Sequence, residues 1–513
     1  MRPTQEIRVV RTLVAPAGPV LRALGGNDAT LPPGPDLFVE GEVRATLRGS
    51  TLELAAHRAP IPYFGWFFGP PLGRDVRRRL HHLAAVLDSQ ASGEAAPPPP
   101  RRAFWAPPAA LSPDQAATMA TLAFVLAVTG YAGSLLTQAI DPIARSFGTS
   151  DFQLGVLTGF TRVGALVALV GSALADRRGR RLMILVATGL AAAASLASAV
   201  APSVLVLGVM QVLVRGSVNL TSIVCFIAAT EEAPEGGRAW TLAVTGLAGS
   251  FGFVLGAALL PVTDLAPWAW RLLFAVGGLG LFFLPGISRR LGETRRYVEI
   301  AARTQRRGRV REVVDPIYGG RFLLLAGAAF LLNLFFAPSS QFTNRYLANE
   351  RGFSGTGITL LRAVTQSIPA LVAVYVGGRL AESRGRRPAA IGGVVVMSVT
   401  TAGFFLLGGP VLWAMLLAST AAAALAGPSL AAFNTELFPT EVRGTAGAAL
   451  LVFGVAGSVV GLVAAGALSD PLGGIGPAVA LTAAAPLLAA VALFPRLPEA
   501  RGRELDEISP PEV

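Results

Sequence analysis

The chain contains no lysine; all 43 of its basic residues are arginine. A phosphate-binding loop of the Gly-x-x-x-x-Gly-Lys kind is therefore excluded, and with it a nucleotide site of the usual form. There is one cysteine, Cys225, so no disulfide closes within the chain and no cysteine cluster can hold a metal. The three histidines, His57, His81 and His82, all fall in the first hundred residues, which leaves the remainder without a histidine site. Charged residues are scarce, at 14% of 513, where soluble domains carry about 25%. The apolar part holds no nucleophile–base pair and no set of metal ligands, so neither an enzyme nor a bound cofactor is expected. The N-terminus lacks the long apolar core of a cleavable signal peptide, and none is expected.

Apolar residues fill the space these absences leave. Hydrophobic residues reach 52% and mean hydropathy is +0.57. About twelve apolar runs are long enough, at roughly 20 residues each, to cross a bilayer core. They lie at 116–139, 153–175, 182–201, 203–229, 239–262 and 268–288, then at 321–345, 356–379, 388–408, 410–434, 444–468 and 473–494. Two polar motifs wedged between these runs are written twice. Ser-Ala-Leu-Ala-Asp-Arg-Arg-Gly-Arg-Arg over 172–181 returns as Gly-Arg-Leu-Ala-Glu-Ser-Arg-Gly-Arg-Arg over 378–387, so that Asp176 answers Glu382. Thr230-Glu231-x-x-Pro234-x-x-x-Arg238 returns as Thr435-Glu436-x-x-Pro439-x-x-x-Arg443. The two offsets, 206 and 205 residues, nearly agree. Such an internal repeat is how many membrane bundles are built.

A net charge of +12 invites a nucleic-acid reading, but the placement of the arginines argues against that partner. They sit in short loops, at 177–181, 289–311 and 384–387, while the loops around Ala201, Thr263, Gly409 and Asp470 are almost free of them. By the positive-inside rule the basic loops face the cytoplasm, which places both termini there in a multi-pass protein of the cell membrane.

The basic turns fall between the second and third runs and between the eighth and ninth. In form, Gly-x-Leu-Ala-Asp-Arg-x-Gly-Arg-Arg, they resemble the signature of the major facilitator superfamily. The repeated Glu-x-x-Pro-x-x-x-Arg is similar to the ends of the fourth and tenth spans in its sugar and metabolite porters. So are Trp268-Ala269-Trp270-Arg271-Leu272-Leu273-Phe274 and Leu291-Gly292-Glu293-Thr294-Arg295-Arg296 on either side of the sixth span. The resemblance covers roughly residues 112–497. It implies an all-α membrane protein of twelve transmembrane helices in two six-helix bundles, 105–288 and 321–497. A cytoplasmic loop, 289–320, joins the bundles, and a tail, 498–513, follows them. The resemblance further implies that the halves rock about a midplane site, with the charged turns as a cytoplasmic latch. In the first half the latch residues are Asp176, Arg177, Gly179, Arg180 and Arg181, with Glu231 and Arg238. In the second they are Glu382, Gly385, Arg386 and Arg387, with Glu436, Pro439 and Arg443. The alternative is that these arginines only set topology and the Glu–Arg pairs are solvated charges worth roughly 0–1 kcal/mol. Ser172 stands where the first turn usually has glycine, and is small enough for close helix contact.

Residues 1–104 read as a separate small α+β domain. Strands are predicted over 7–10, 37–47 and 51–56, the last two joined at Gly49-Ser50. A short helix is predicted over 20–24, and a longer one follows from Val76, Leu80, Leu83, Ala84 and Leu87 at helical spacing. Strands closed by a long C-terminal helix resemble a trimmed START-like, helix-grip domain. The aromatic run over 63–68 either fills that domain's core or meets anionic lipid beside the arginine-rich helix. Residues 96–102, with four successive prolines, form a stiff linker.

No Asp or Glu stands mid-span; Asp141, Asp264, Glu350 and Asp470 fall at ends or in loops. Proton-coupled sugar porters of the family usually carry a carboxylate within the first span, where this chain has Tyr131-Ala132-Gly133-Ser134. That departure weighs against symport through a protein carboxylate. One deep charge remains, Arg215, about 18 and 24 Å from the two ends of its helix at 1.5 Å per residue. An ion there costs roughly 2.5–3.5 kcal/mol to insert, so a wet cavity is expected beside it. Gln211, where the family's usual arginine would fall, lies with Arg215 and Asn219 on one helical stripe. Arg362 and Gln366 make a similar pair in the eighth span, and Asn333, Gln341 and Asn344 add polar groups in the seventh. A guanidinium without a membrane carboxylate points to an oxyanion substrate; the alternative is that Arg215 ties backbone carbonyls or Asp141. Gly246, Gly249, Gly252 and Gly256 give the fifth span a close-packing face, without the Gly-Pro dipeptide that the family's drug exporters tend to show. The expected function is secondary transport of a small anionic metabolite by a monomer among membrane lipids. The rivals are an exporter of drugs or lipid-like molecules, and a sensor that relays solute occupancy to the N-terminal domain.

Overall fold

The structure, a computed structural model, describes residues 6–13, 28–31, 39–48, 50–58, 65–98, 112–233, 238–294, 316–367, 386–436 and 440–497. Near the N-terminus, β1 (Glu6–Thr12), β2 (Asp28–Leu31), β3 (Val39–Arg48) and β4 (Thr51–Arg58) form one antiparallel sheet in the order β1-β4-β3-β2. Alternation decides which face is covered. Ile7, Val9, Val43, Ala45, Leu47, Leu52, Leu54 and Ala56 are buried, while Arg8 and Arg44 between them are exposed. The helix α1 (Gly65–Ser92) lays Val76, Leu80 and Ala84 onto that face. Arg11 pins its last turns by pairing with the buried Asp88 at 3.3 Å. The strand β2 was not expected, because Asp28-Ala29-Thr30-Leu31 is too short to display a period; it forms by pairing with the edge of β3. The helix expected over 20–24, Tyr63 and Phe64, and the prolines beyond 98 lie outside the described residues, as do the side chains of Trp66, Phe67 and Phe68.

Eleven helices among the described residues are long and apolar enough to cross a membrane. The first six are Asp114–Gln138, Asp151–Ser172, Arg180–Ala199, Val204–Glu232, Val244–Asp264 and Trp270–Arg290. The seventh is Gly319–Asn349, and Arg387–Leu406, Pro410–Gly427, Ala446–Ser469 and Ile475–Arg496 stand ninth to twelfth. Of the eighth expected span the structure describes Gly355–Arg362 and a π-turn, Ala363–Ser367; residues 368–385 lie outside the description. Large apolar side chains such as Leu205, Phe282 and Val491 point outward, as a lipid environment allows.

Local chemistry sets where the helices begin. Ser112 and Ser150 each cap a helix in a reciprocal box with the glutamine three residues on, Gln115 and Gln153, and Pro113 occupies the first turn. Ser203 caps the fourth span through the Val206 N–H. The Trp-Ala-Trp-Arg motif fastens the start of the sixth span to the end of the third. Arg271 donates to the carbonyls of Ala199 and Ala201 at 2.9 and 3.0 Å and lies 4.6 Å over the ring of the buried Trp270. It thereby satisfies carbonyls that a helix C-terminus leaves without partners.

The duplication is visible in the packing. The first span packs on the fifth, the third on the fourth and the third on the sixth; likewise the seventh packs on the eleventh, the ninth on the tenth and the ninth on the twelfth. Both first-type pairs use the same device, glycines set against a neighbouring backbone. Gly252 lies on the carbonyl of Ala127, and Gly457 and Gly461 lie on those of Phe330 and Leu334. Among the described residues, the apolar core is shared by the halves at one end only. There a single buried cluster joins Leu135, Ile140, Leu154 and Trp270 of the first half to Phe342, Tyr346 and Phe405 of the second. Toward the basic turns the core divides, into Leu122, Val125, Ile184, Val224 and Ile287 on one side and Leu325, Val394, Phe433 and Phe494 on the other.

A side chain at residue 252 would strike the first span's backbone, which cannot yield as a flexible side chain would. Gly252→Val should therefore destabilise the first bundle by about 1–3 kcal/mol, the usual cost of overpacking. Thermal unfolding in detergent measures this against Gly392→Ala, whose added methyl meets open space and should leave stability unchanged or raise it.

Candidate functional site

The first basic turn is built on a glycine. Gly179 adopts φ +100 between the helices Gly164–Arg178 and Arg180–Ala199, and a Cβ there would collide with the carboxylate of Glu293. That carboxylate accepts the backbone N–H of Arg180 at 2.8 Å and of Arg181 at 3.3 Å. It caps the third span, where free N–H groups and the helix dipole favour an anion. The Arg180 side chain pairs with Glu231 at 3.1 Å, and the Thr294 hydroxyl donates to the other Glu231 oxygen at 2.5 Å. Arg181 reaches the Ser288 carbonyl at 2.9 Å. Every one of these bonds lies within the first half. In the second half Arg387 donates to the carbonyl of Pro495 at 3.1 Å. Glu382, Gly385 and Pro439 lie outside the described residues, as do the side chains of Asp176, Arg177, Arg238, Arg386, Glu436 and Arg443. In the sequence Glu293 stands out only as part of a motif, because its capping role depends on a turn more than a hundred residues earlier.

At the opposite end the halves are bolted together. Arg345, from the seventh span, pairs with Asp151 at the start of the second and with Asp141 at 3.3 Å. Asp141 also pairs with Arg145 at 2.6 Å. Asn344 donates to the backbone and side-chain oxygens of Gln138 at 2.9 and 3.0 Å, and Arg362 donates to the same side-chain oxygen at 2.9 Å. Thr137 donates to Gln341 at 2.8 Å, and Ser469 to Asp151 at 3.0 Å. The alternative partner considered for Arg215, Asp141, thus belongs to Arg345. Burial pushes the Asp141 carboxyl above the ordinary carboxylate range, against the pull of Arg145 and Arg345.

The remaining expected residues occupy different surroundings. Gln211 is buried and donates to Ser198 at 2.9 Å, so it serves the contact between the fourth and third spans. Arg362 and Gln341 are buried in the seam between the halves. Asn333 donates to its own helix at Ala329 and accepts from Ser458 at 3.4 Å. Asn219 and Gln366 are half-buried. Arg215 is half-buried, and among the described residues it makes no hydrogen bond or ion pair. It is also not alone. Arg162, in the second span, is half-buried and equally unpaired, and the two charges lie close enough to act on each other. Its sequence signal was plain, an arginine inside the apolar run 153–175.

The family model of the Major Facilitator Superfamily matches residues 122–365 and 322–512. The chain belongs to the Major Facilitator Superfamily. Within it, the mouse protein "Solute carrier family 2, facilitated glucose transporter member 10" is 25% identical over 299 residues, 54% of this chain and 55% of that protein. Multidrug resistance protein Stp of Mycobacterium tuberculosis is 33% identical over 159 residues, 29% of this chain and 28% of its own. The chain thus spans about half or less of the curated relatives it matches. The inward-open form of the xylose transporter XylE from E. coli shares the fold, with a TM-score of 0.63 at 16% identity over 76% of this chain and 98% of that one. In this superfamily member, polar side chains join the halves at the end opposite the basic turns, and Arg162 and Arg215 make no hydrogen bond or ion pair among the described residues.

Arg345→Gln leaves two acids without their shared partner. Removing one member of a buried pair costs about 3–5 kcal/mol; with Asp151 partly exposed, about 1–3 kcal/mol is expected here. In a variant with Cys225 replaced and Thr137→Cys introduced, that change should raise labelling by a membrane-impermeant maleimide roughly tenfold. A carboxyl whose folded pKa is raised lends stability below its unfolded pKa and loses it as pH rises through the folded value. Thermal stability should accordingly rise from neutral to mildly acidic pH by an increment that Asp141→Asn removes.

Proposed function

We propose that the chain is a secondary active transporter of a small organic metabolite that carries negative charge, an organic acid or a phosphorylated, sugar-like solute. It works by rocker-switch alternating access between its two bundles. The observation that carries this reading is Arg215, a half-buried cation deep in the fourth span that makes no hydrogen bond or ion pair among the described residues. An ion in that position is costly unless it faces water or cargo, and guanidinium groups favour carboxylate and phosphate oxygens. A bundle whose core is shared at one end and divided at the other is the shape that alternating access requires. The Arg180–Glu231–Glu293 cluster is proposed to steady the cytoplasmic gate, with Asp176, Glu382 and Glu436 completing it. The protein functions as a monomer surrounded by lipid, its termini and N-terminal domain cytoplasmic. The likeness of one stretch to Multidrug resistance protein Stp favours a second reading, efflux of drugs or lipid-like molecules.

Arg215→Gln, reconstituted in liposomes, should reduce uptake of a transported anion roughly ten- to hundredfold, since a charge-assisted hydrogen bond contributes about 1.5–3 kcal/mol. Uptake that survives the substitution intact would overturn the anionic reading and leave the exporter.

A further inference from the structure

We propose that Arg162 and Arg215 form one clamp for a dianionic head group, so that the cargo carries two negative charges rather than one. The inference rests on the transport reading above and narrows its substrate class.

Both arginines stand eleven residues from the same end of the bundle, Arg162 from Asp151 and Arg215 from Val204. At 1.5 Å per residue each is about 17 Å in. The helices that carry them touch at this level. A Cβ on Gly164 would meet the Val212 carbonyl, the Gly216 nitrogen at 3.0 Å and the Arg215 Cβ at 3.2 Å. Arg162 stands two residues before Gly164 on the helix that makes this contact, and its charge lies within electrostatic reach of Arg215. Neither has a hydrogen bond or ion pair among the described residues, and neither is fully buried.

Five acids of the bundle whose side chains are described have partners elsewhere. Asp141 and Asp151 are held by Arg345, and Glu231 by Arg180. Asp264 accepts the Gly355 N–H, and Glu350 accepts those of Ile475 and Gly476. Two like charges close together in a low-dielectric interior repel strongly. A single negative charge would leave one of them uncompensated, whereas a dianion neutralises both. Two guanidinium forks also offer enough donors to bind a tetrahedral phosphate, or two carboxylates, from two sides. Phosphate monoesters and dicarboxylates share this chemistry, and the experiment separates them.

The test uses the full-length protein purified in detergent, with thermal shift and calorimetric titration of inorganic phosphate, glycerol phosphate, succinate, acetate and xylose. The wild type should bind a phosphate probe or succinate at least about tenfold more tightly than acetate, a difference of about 1.4 kcal/mol. Whichever dianion binds identifies the head group. Arg162→Gln and Arg215→Gln should each erase that preference, leaving dianion and acetate bound within about threefold of each other. Arg162→Lys, which keeps the charge and guards against misfolding of the glutamine variant, should restore part of the preference. Equal wild-type binding of acetate and the dianions would overturn the clamp while leaving an anionic cargo in place. Preference for xylose, unaltered by either glutamine variant, would overturn both readings.

Discussion

Hydrocarbon offers an ion no partner, so each charge within the bundle must be met by protein, by water or by cargo. The arginines of this chain meet that demand in three ways. At the closed end Arg345 is shared between Asp141 and Asp151, which come from different helices, and so joins the seventh span to the first two. At the basic turn Arg180 and the backbone of the third span are answered by Glu231 and Glu293 from within the same half. In the interior Arg162 and Arg215 are answered by no side chain of the described residues. Among the described residues, ion pairs therefore tie the halves at one end, hold the basic turn within the first half at the other, and leave Arg162 and Arg215 unpaired.

The apolar packing follows the same division. Where the ion pairs and amides of Gln138, Gln341 and Asn344 cross between the halves, one buried cluster spans both. Toward the basic turns, where the described ion pair of Arg180 with Glu231 lies within the first half, the cluster splits. Neither effect decides the arrangement alone. Polar crossings fix the register of the seam, and the aromatic side chains around Tyr346, Phe404 and Phe405 exclude the water that would weaken them. Within each half, glycine against backbone gives the close helix contact that a lipid environment cannot supply by hydrophobic force.

Much of this was legible in residue order. The apolar runs, the doubled polar motifs and the serine caps depend on neighbours within a few turns, and they marked out the spans and their duplication. The alternation in 43–47 and 51–56 specified two strands and their buried face for the same reason, and the close-packing glycines of the fifth span were visible as a stripe. Arg162 is equally visible as an ion inside an apolar run.

Partnership was not legible, because it joins residues far apart in the chain. Nothing in the order of residues says that Glu293 caps a helix beginning at Arg180, that Arg345 rather than Arg215 claims Asp141, or that Arg362 turns to Gln138. Nor does it say that Gln211, one turn from Arg215, bonds to Ser198 instead of facing the interior. A helical stripe gives the angle at which a side chain leaves its axis, but only the packed neighbours decide whether it meets another helix or open space. The sequence by itself determined a duplicated membrane bundle and the ions placed inside it. The tertiary structure decided which ions were paired, and hence where an unmet charge was left.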